Sequence, residues 1–305
     1  MKGGITRRDF ALGMLAFAAS GCTSRRNTIT VGTKNFTEQL ILGEMLAQLL
    51  EANASRPQPT RATPAIDRRF YLAGTYICHQ ALLAGRIDLY VEYTGTALAA
   101  ILKQPPMAGS AAVFEVVKNE YRRQFDLEVL PPLGFDNSFA IVMRGPEARR
   151  QNIKTISDAA RYAPRWRMGV GYEFLERKDG FPGLAQKYGL RFAEAPRVMD
   201  LGLLYRALES QQVDVIAASN TDGLIAAVDL VVLQDDRSYF PPYDAVPIVR
   251  RSSLERHSEI AALPNRISGK ISANDMRQLN YGVDGQHQDA KLLVAEYLRA
   301  RRLIG

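Results

Sequence analysis

The sequence is poor in the side chains on which most hydrolases and metal proteins depend. Its 305 residues hold two cysteines, Cys22 and Cys78, and three histidines, His79, His257 and His287. The histidines stand far apart, without metal-ligand spacing, so no metal is expected. His79 falls on an expected helix as a packing or surface residue. His257 and His287 fall in polar stretches and are expected to be solvated. There is no G-x-S-x-G elbow, and "GVGYEF" is only a fragment of a phosphate-cradling glycine loop. Glu92, Asp136, Glu173 and Asp222 could approach a common cleft, but nothing in their spacing demands acid–base chemistry. Cys78, in the apolar helical pattern "TYICHQALLAG", reads as core rather than as a nucleophile. No cofactor is expected.

Long apolar runs are missing as well. The stretch Phe10–Ala19 is too short to span a bilayer. It follows Arg7 and Arg8 and precedes Ala19-Ser20-Gly21-Cys22, so residues 1–22 read as an export signal and not as fold. "TRRDF" resembles a twin-arginine signal, although Ala11 stands where Leu is usual. The segment ending at Cys22 resembles a lipobox, with Ala19 in place of the usual Leu. The expectation is an exported protein, periplasmic or at the cell surface, anchored to the membrane through a lipidated Cys22. A plain secretory signal that is trimmed away is the alternative. The formal net charge of +7 is scattered or gathered at the ends. No basic stripe alternates with aromatics, so nucleic acid is not an expected partner.

What is present is ordinary globular composition, 47% hydrophobic and 23% charged, with strands and helices in alternation. Ile29–Gly32 reads as a strand. A helix follows with Leu40, Ile41, Met45, Leu46, Leu49 and Leu50 spaced for one buried face. A Pro-rich surface link, "ASRPQPTRATP", comes next. Further helices are expected around Tyr76–Ala84 and Val113–Phe125, a strand at Ile87–Leu89, and two strands within "LEVLPPLGFDNSFAIVMR". This alternation means an α/β fold.

The pattern also repeats. "WRMGVGYEFL" echoes "TITVGTKNFT". "YRALESQQVDVIAASNTDG" echoes "CHQALLAGRIDLYVEYTGT", so that Ile87-Asp88-Leu89 matches Val213-Asp214-Val215 and Tyr93 falls opposite Ser219. Two such halves suggest two lobes facing each other. Ligands of α/β sheets sit beyond the carboxyl ends of the strands, where both halves place polar and aromatic residues. Tyr93, Phe139 and Tyr243 are expected in sharp turns, in "EYTGT", "DNSFA" and "FPPYDA". Rings that converge can cage a cation lacking N–H groups, each face contributing roughly 0.5–2 kcal/mol. Glu92 is expected either in the cleft or as a solvated carboxylate at its rim.

The segments "VGTKNFTEQLILGEML", "HQALLAGRIDLYVEYTGTAL", "GFDNSFAIVMR", "EFLERKDGFPGL", "VDVIAASNTDGLI" and "LQDDRSYFPPYDAVPIVR" together resemble the substrate-binding proteins of glycine betaine, carnitine and choline ABC importers. The resemblance implies a type II periplasmic-binding-protein fold with a cleft between two lobes joined by crossover segments. Lobe one is expected over residues 27–134 and 241–305, and lobe two over 135–240. The resemblance places Tyr93, Phe139 and Tyr243 at cage positions. It places Gln39, Thr94 and Thr96 at the polar end or lining of the pocket, with Asn137 and Asp222 nearby. Members with tight cages often have Tyr where Ser219 and Phe139 stand, so one ring is missing here. The expected activity is capture of a quaternary amine and its delivery to a permease. Permease and ATPase are expected on separate chains, because this sequence shows neither membrane spans nor a nucleotide motif.

Two competing readings remain. A same-fold receptor for an amino acid or another zwitterion would use Arg177. An enzyme with a covalently attached cofactor would need a reactive cleft residue, for which Cys78 is a poor candidate.

Overall fold

A computed structural model describes residues 27–54, 62–177 and 179–305. The expected export signal with Cys22, and most of the Pro-rich link, lie outside the described residues. Within them are two five-stranded sheets, each mixed. The first has the order β2-β1-β3-β10-β4, with β1 Thr28–Gly32, β2 Ala65–Arg69, β3 Leu89–Tyr93, β4 Leu127–Val129 and β10 Ala245–Arg250. The second has the order β7-β6-β8-β5-β9, with β5 Phe139–Arg144, β6 Met168–Val170, β7 Arg197–Val198, β8 Val215–Ser219 and β9 Leu230–Leu233. The α/β class holds.

The two sheets are built alike. In each, three strands run parallel, β2-β1-β3 and β7-β6-β8. The antiparallel strand, β10 or β5, then lies between the third strand and an edge strand. The repeated apolar-Asp-apolar signature has one structural cause. Asp88 Oδ2 accepts the Thr30 N–H at 2.8 Å, and Asp214 Oδ2 accepts the Arg167 N–H at 2.8 Å. In both halves a carboxylate closes the start of the parallel pairing, where a backbone donor would otherwise lack a partner.

The strand expected at Ile87–Leu89 is shifted. It runs from Leu89 to Tyr93, every residue buried, so the sheet continues through both tyrosines and Glu92. Polar residues did not end it, because Glu92 and both hydroxyls find partners inside. The helix Thr37–Ala54 differs too. It is buried on nearly all sides rather than on one face. The sheet lies on one side, and helices Ala273–Asp284 and Ala290–Ala300 cover the other. Its polar residues are bonded there: Gln48 Nε2 reaches the Lys291 carbonyl at 2.9 Å and Asn53 Nδ2 the Glu259 carbonyl. His257 is buried, not solvated, whereas His287 is exposed. His79 packs edge-on against Tyr121 and Phe125 in the core, and Cys78 is fully buried.

The chain passes between the sheets twice, after β4 and after β9. The two passages run side by side and antiparallel. Asp136 bridges Asp244, the Asn137 N–H donates to the Tyr243 carbonyl at 3.0 Å, and the Ala245 N–H donates to the Phe135 carbonyl at 3.1 Å. These paired passages carry Asn137 and Tyr243 to the junction of the sheets and lead directly into Phe139.

Candidate functional site

The carboxyl ends of β3 and β8 face this junction. Tyr93 is the last residue of β3 and Phe139 the first of β5, so neither stands in a turn; only Tyr243 lies in a loop, just ahead of β10. Register fixes their neighbours: Tyr93 lies beside Ala245, and Phe139 beside Ser219. Phe139 meets Tyr243 edge-on at 5.7 Å and Phe174 edge-on at 4.8 Å, and it meets Phe240 at a tilt at 5.9 Å. Tyr93 does not join that group. Its ring stacks at 6.5 Å on Phe36. The expected three-ring cage is thus one cluster around Phe139 and Tyr243, plus a separate tyrosine. Phe36, Phe174 and Phe240 were not foreseen, because single aromatics in helix and loop patterns carry no distinguishing signal.

Charged groups lie against the rings. The guanidinium carbon of Arg177 lies 5.4 Å from the Phe139 centroid and 5.7 Å from that of Tyr243. Arg177 forms a two-point ion pair with Asp179, Nε to Oδ1 at 2.8 Å and Nη2 to Oδ2. It also donates to Thr96 Oγ1 at 3.2 Å, so it ties the second sheet's helical segment to the end of β3. The Tyr243 hydroxyl donates to Asp179 at 2.7 Å. Burial, the largest influence, pushes the Asp179 carboxyl up, but the hydrogen bond and charge of Arg177 together with the Tyr243 bond outweigh it and leave it below the ordinary range.

Lys34 Nζ lies 4.9 Å from the Tyr93 centroid and is ion-paired with Glu92. Glu92 is fully buried, so it is no rim carboxylate. Tyr90, inside β3, donates to its other oxygen at 3.2 Å. The tyrosine–acid–tyrosine run is therefore one buried polar seam on Lys34.

Glu38 gathers the remaining residues. Its Oε1 accepts from the Tyr93 hydroxyl at 2.6 Å and from Asn137 Nδ2 at 2.7 Å. Its Oε2 accepts from the Thr221 hydroxyl and from Asn280 Nδ2 at 3.2 Å. The donors come from β3, a crossover passage, the loop after β8 and the helix Ala273–Asp284. Burial raises the Glu38 pKa above the carboxylate norm, its hydrogen bonds oppose this, and the charge of Asp222 adds to it.

Gln39 is buried and donates to the Tyr93 hydroxyl at 3.2 Å. Ser219 donates to Asn137 Oδ1. Asp222 accepts from Tyr205 at 2.7 Å and from the Ser219 N–H at 3.2 Å, and burial lifts its carboxyl to about 6. Thr94 is spent on structure. Its hydroxyl donates to the Pro242 carbonyl and accepts the Asp244 N–H at 3.0 Å, clamping the Tyr243 loop. Gly95 is required beneath that loop, since a Cβ there would lie 2.8 Å from the Tyr243 ring. Glu38, Lys34, Asp179 and Thr221 had no sequence signal of their own, because isolated polar residues look solvated until the fold buries them. No group of His, Cys, Asp and Glu among the described residues could hold a metal.

Residues 27–300 match the family described as the substrate binding domain of the ABC-type glycine betaine transport system. The chain is 31% identical over 97% of its length to the glycine-betaine-binding protein of Pseudomonas aeruginosa, of which it covers 95%. It is 33% identical over 88% of its length to an ergothioneine transport permease/ergothioneine binding protein of Helicobacter pylori. It spans only 47% of that relative. A crystal structure of a glycine betaine/carnitine/choline ABC transporter superposes with a TM-score of 0.77 at 30% identity, over 90% of this chain and 99% of the other.

Proposed function

The chain belongs to the family of substrate-binding domains of ABC-type glycine betaine transport systems, and on that premise we propose that it captures a quaternary-amine zwitterion between its two sheets. The observation that carries this reading is a cation already seated against the cluster: Arg177 lies over both Phe139 and Tyr243. Rings that hold a guanidinium offer the faces an alkylammonium needs. The same guanidinium is the natural partner for a carboxylate at the other end of the solute.

The proposed lobes are residues 27–134 with 241–305, and residues 135–240, swinging about the paired crossover passages. Closure follows because solute touching both lobes binds the closed state better than the open one. Gln39, Tyr93, Thr96, Asn137, Phe139, Ser219, Asp222 and Tyr243 form the proposed site, with Glu38 and Arg177. Thr94 acts through the Tyr243 loop. The closed form then docks on a permease, with permease and ATPase on separate chains; in the Helicobacter relative, binding protein and permease share one name and one chain. We further propose export by the twin-arginine route and a lipid anchor at Cys22. Intact-mass analysis of the membrane fraction tests the anchor, and an unmodified or trimmed Cys22 removes it.

Glycine betaine, carnitine and ergothioneine, bound by relatives according to their names, share a trimethylammonium group and a carboxylate. A thermal-shift panel of these, choline and the common amino acids tests the function, because a ligand of the native state alone raises Tm. Shifts confined to trimethylammonium solutes support it. Shifts with amino acids alone favour the second reading, a receptor for an ammonium with N–H groups. The observation on that side is the polar set Ser219, Asn137 and Glu38, where the first half supplies a ring.

A further inference from the structure

The two cations that lie against the rings of the site each have their own carboxylate. Lys34 has Glu92, and Arg177 has Asp179. Glu38 does not. Among the described residues its hydrogen-bond partners are hydroxyls and amides, and the nearby charge that acts on it is another anion, Asp222. Asp284 lies one step further, bonded to Thr37, and it too is an acid. A buried charge without a counter-ion is costly unless function supplies the missing partner.

The two tyrosines of the site differ accordingly. Each donates its hydroxyl to a buried carboxylate, Tyr243 to Asp179 and Tyr93 to Glu38, at 2.7 and 2.6 Å. Behind Tyr243 the acid is cancelled by Arg177. Behind Tyr93 it is not. A phenol that donates to an anion gains electron density on its ring, and ring density is what attracts a cation to the face. Both effects act in one direction at the Tyr93 end, where the one cation against the ring, Lys34 at 4.9 Å among the described residues, is itself neutralised by Glu92.

We propose that Glu38 is the residue that makes this site select a positively charged head over a neutral one of the same shape, acting through Tyr93 and by its own uncompensated charge. The proposal rests on the quaternary-amine reading.

The test compares glycine betaine with 3,3-dimethylbutanoate, its uncharged-head isostere, by calorimetry on the purified protein. The wild type should prefer glycine betaine. Glu38→Gln, which retains a side-chain acceptor but no charge, should reduce that preference at least about tenfold, and Glu38→Asp should restore part of it. Tyr93→Phe, which cuts the hydroxyl link while keeping the ring, should lower the preference as well and serves if the Glu38 variant does not fold. Equal weakening for both ligands in Glu38→Gln, or in Tyr93→Phe if that variant alone folds, would mean a merely structural role and overturn the proposal while leaving the quaternary-amine reading intact. A wild type that binds neither ligand nor any other trimethylammonium solute would overturn the reading and the proposal together.

Discussion

Arg177 and Tyr243 are bound to each other through a shared acid: the guanidinium lies 5.7 Å from the ring centroid, and the hydroxyl donates to the same Asp179 that neutralises the arginine. Arg177 also reaches Thr96, at the end of β3, so this set links the two sheets around the ring.

Removing the arginine should expose what Asp179 costs. Asp179 is 1% exposed. In Arg177→Ala it becomes a buried acid whose remaining partner is a neutral phenol, and breaking such a pair typically costs about 3–5 kcal/mol. In the wild type its pKa is held below the ordinary value, so the stabilisation is present above the unfolded pKa and is lost as pH falls through the folded one. The difference between wild type and variant should therefore be large at pH 7 and shrink only below the ordinary aspartate value of about 3.9, toward pH 2.5. Urea unfolding at the two pH values measures it. An equal difference at both would show that the arginine contributes packing alone.

Ser219 offers a second test, since it occupies the place that Tyr93 holds in the other half. Ser219→Tyr adds a ring face and should tighten tetramethylammonium binding by about 0.5–2 kcal/mol. The same change removes the hydroxyl bonded to Asn137 and Thr221, leaving polar groups short of a partner, at a cost of roughly 1–3 kcal/mol in the ligand-free protein. Calorimetry and urea unfolding together should show tighter binding in a less stable protein. Weaker binding in an equally stable protein would count against a ring-poor cage.

Much of the architecture was legible because it rests on short-range chemistry. The Asp88 and Asp214 echo reflects one repeated strand start, and the alternation of strands and helices set the class. The extent of β3 was not legible. Tyr90 and Glu92 look like the end of a strand unless Lys34, more than fifty positions earlier, is known to lie beneath them. The helix Thr37–Ala54 reads as one-sided because its second cover comes from the far end of the chain. At the site, the aromatics at strand ends were found, whereas Glu38 was not: a Thr-Glu-Gln helix start is an ordinary cap, and its meaning arises only where four distant donors converge on it.

The buried acids predict an unusual pH profile. Burial raises Asp222 to about 6 and raises Glu38 as well, so both bind protons more tightly folded than unfolded. Their penalty is fully present above the folded pKa and disappears below the unfolded one, so these two acids add stability to the ligand-free protein as pH falls from 7.5 toward 5, whereas His79, whose pKa burial lowers, subtracts from it. Asp222→Asn should flatten that rise in urea unfolding. Binding of a cationic head should favour the ionised acids, so affinity should fall over the same interval. The same pH dependence in wild type and Asp222→Asn would refute this account.

Closure turns on a backbone contact beside β8. Gly223 follows β8, and a Cβ built on it would lie 2.2 Å from the backbone nitrogen of Tyr281, in the helix Ala273–Asp284 that packs on Thr37–Ala54. Rigid backbone faces backbone there, and Arg277 Nε at 2.7 Å from the Asn220 carbonyl and Asn280 Nδ2 at 2.8 Å from the Thr221 carbonyl draw the same surfaces together. Gly223→Ala must hold the two apart, yet it touches neither ring cluster nor either ion pair. Each sheet should keep its own core, so unfolding by urea should change little. Affinity for glycine betaine should fall by about tenfold or more, roughly 1.4 kcal/mol, because the closed state alone brings both sets of contacts to the solute. Small-angle scattering should show the compaction on adding ligand reduced in the variant. Wild-type affinity with full compaction would mean that this contact belongs to a static interface, and that the sheets close elsewhere.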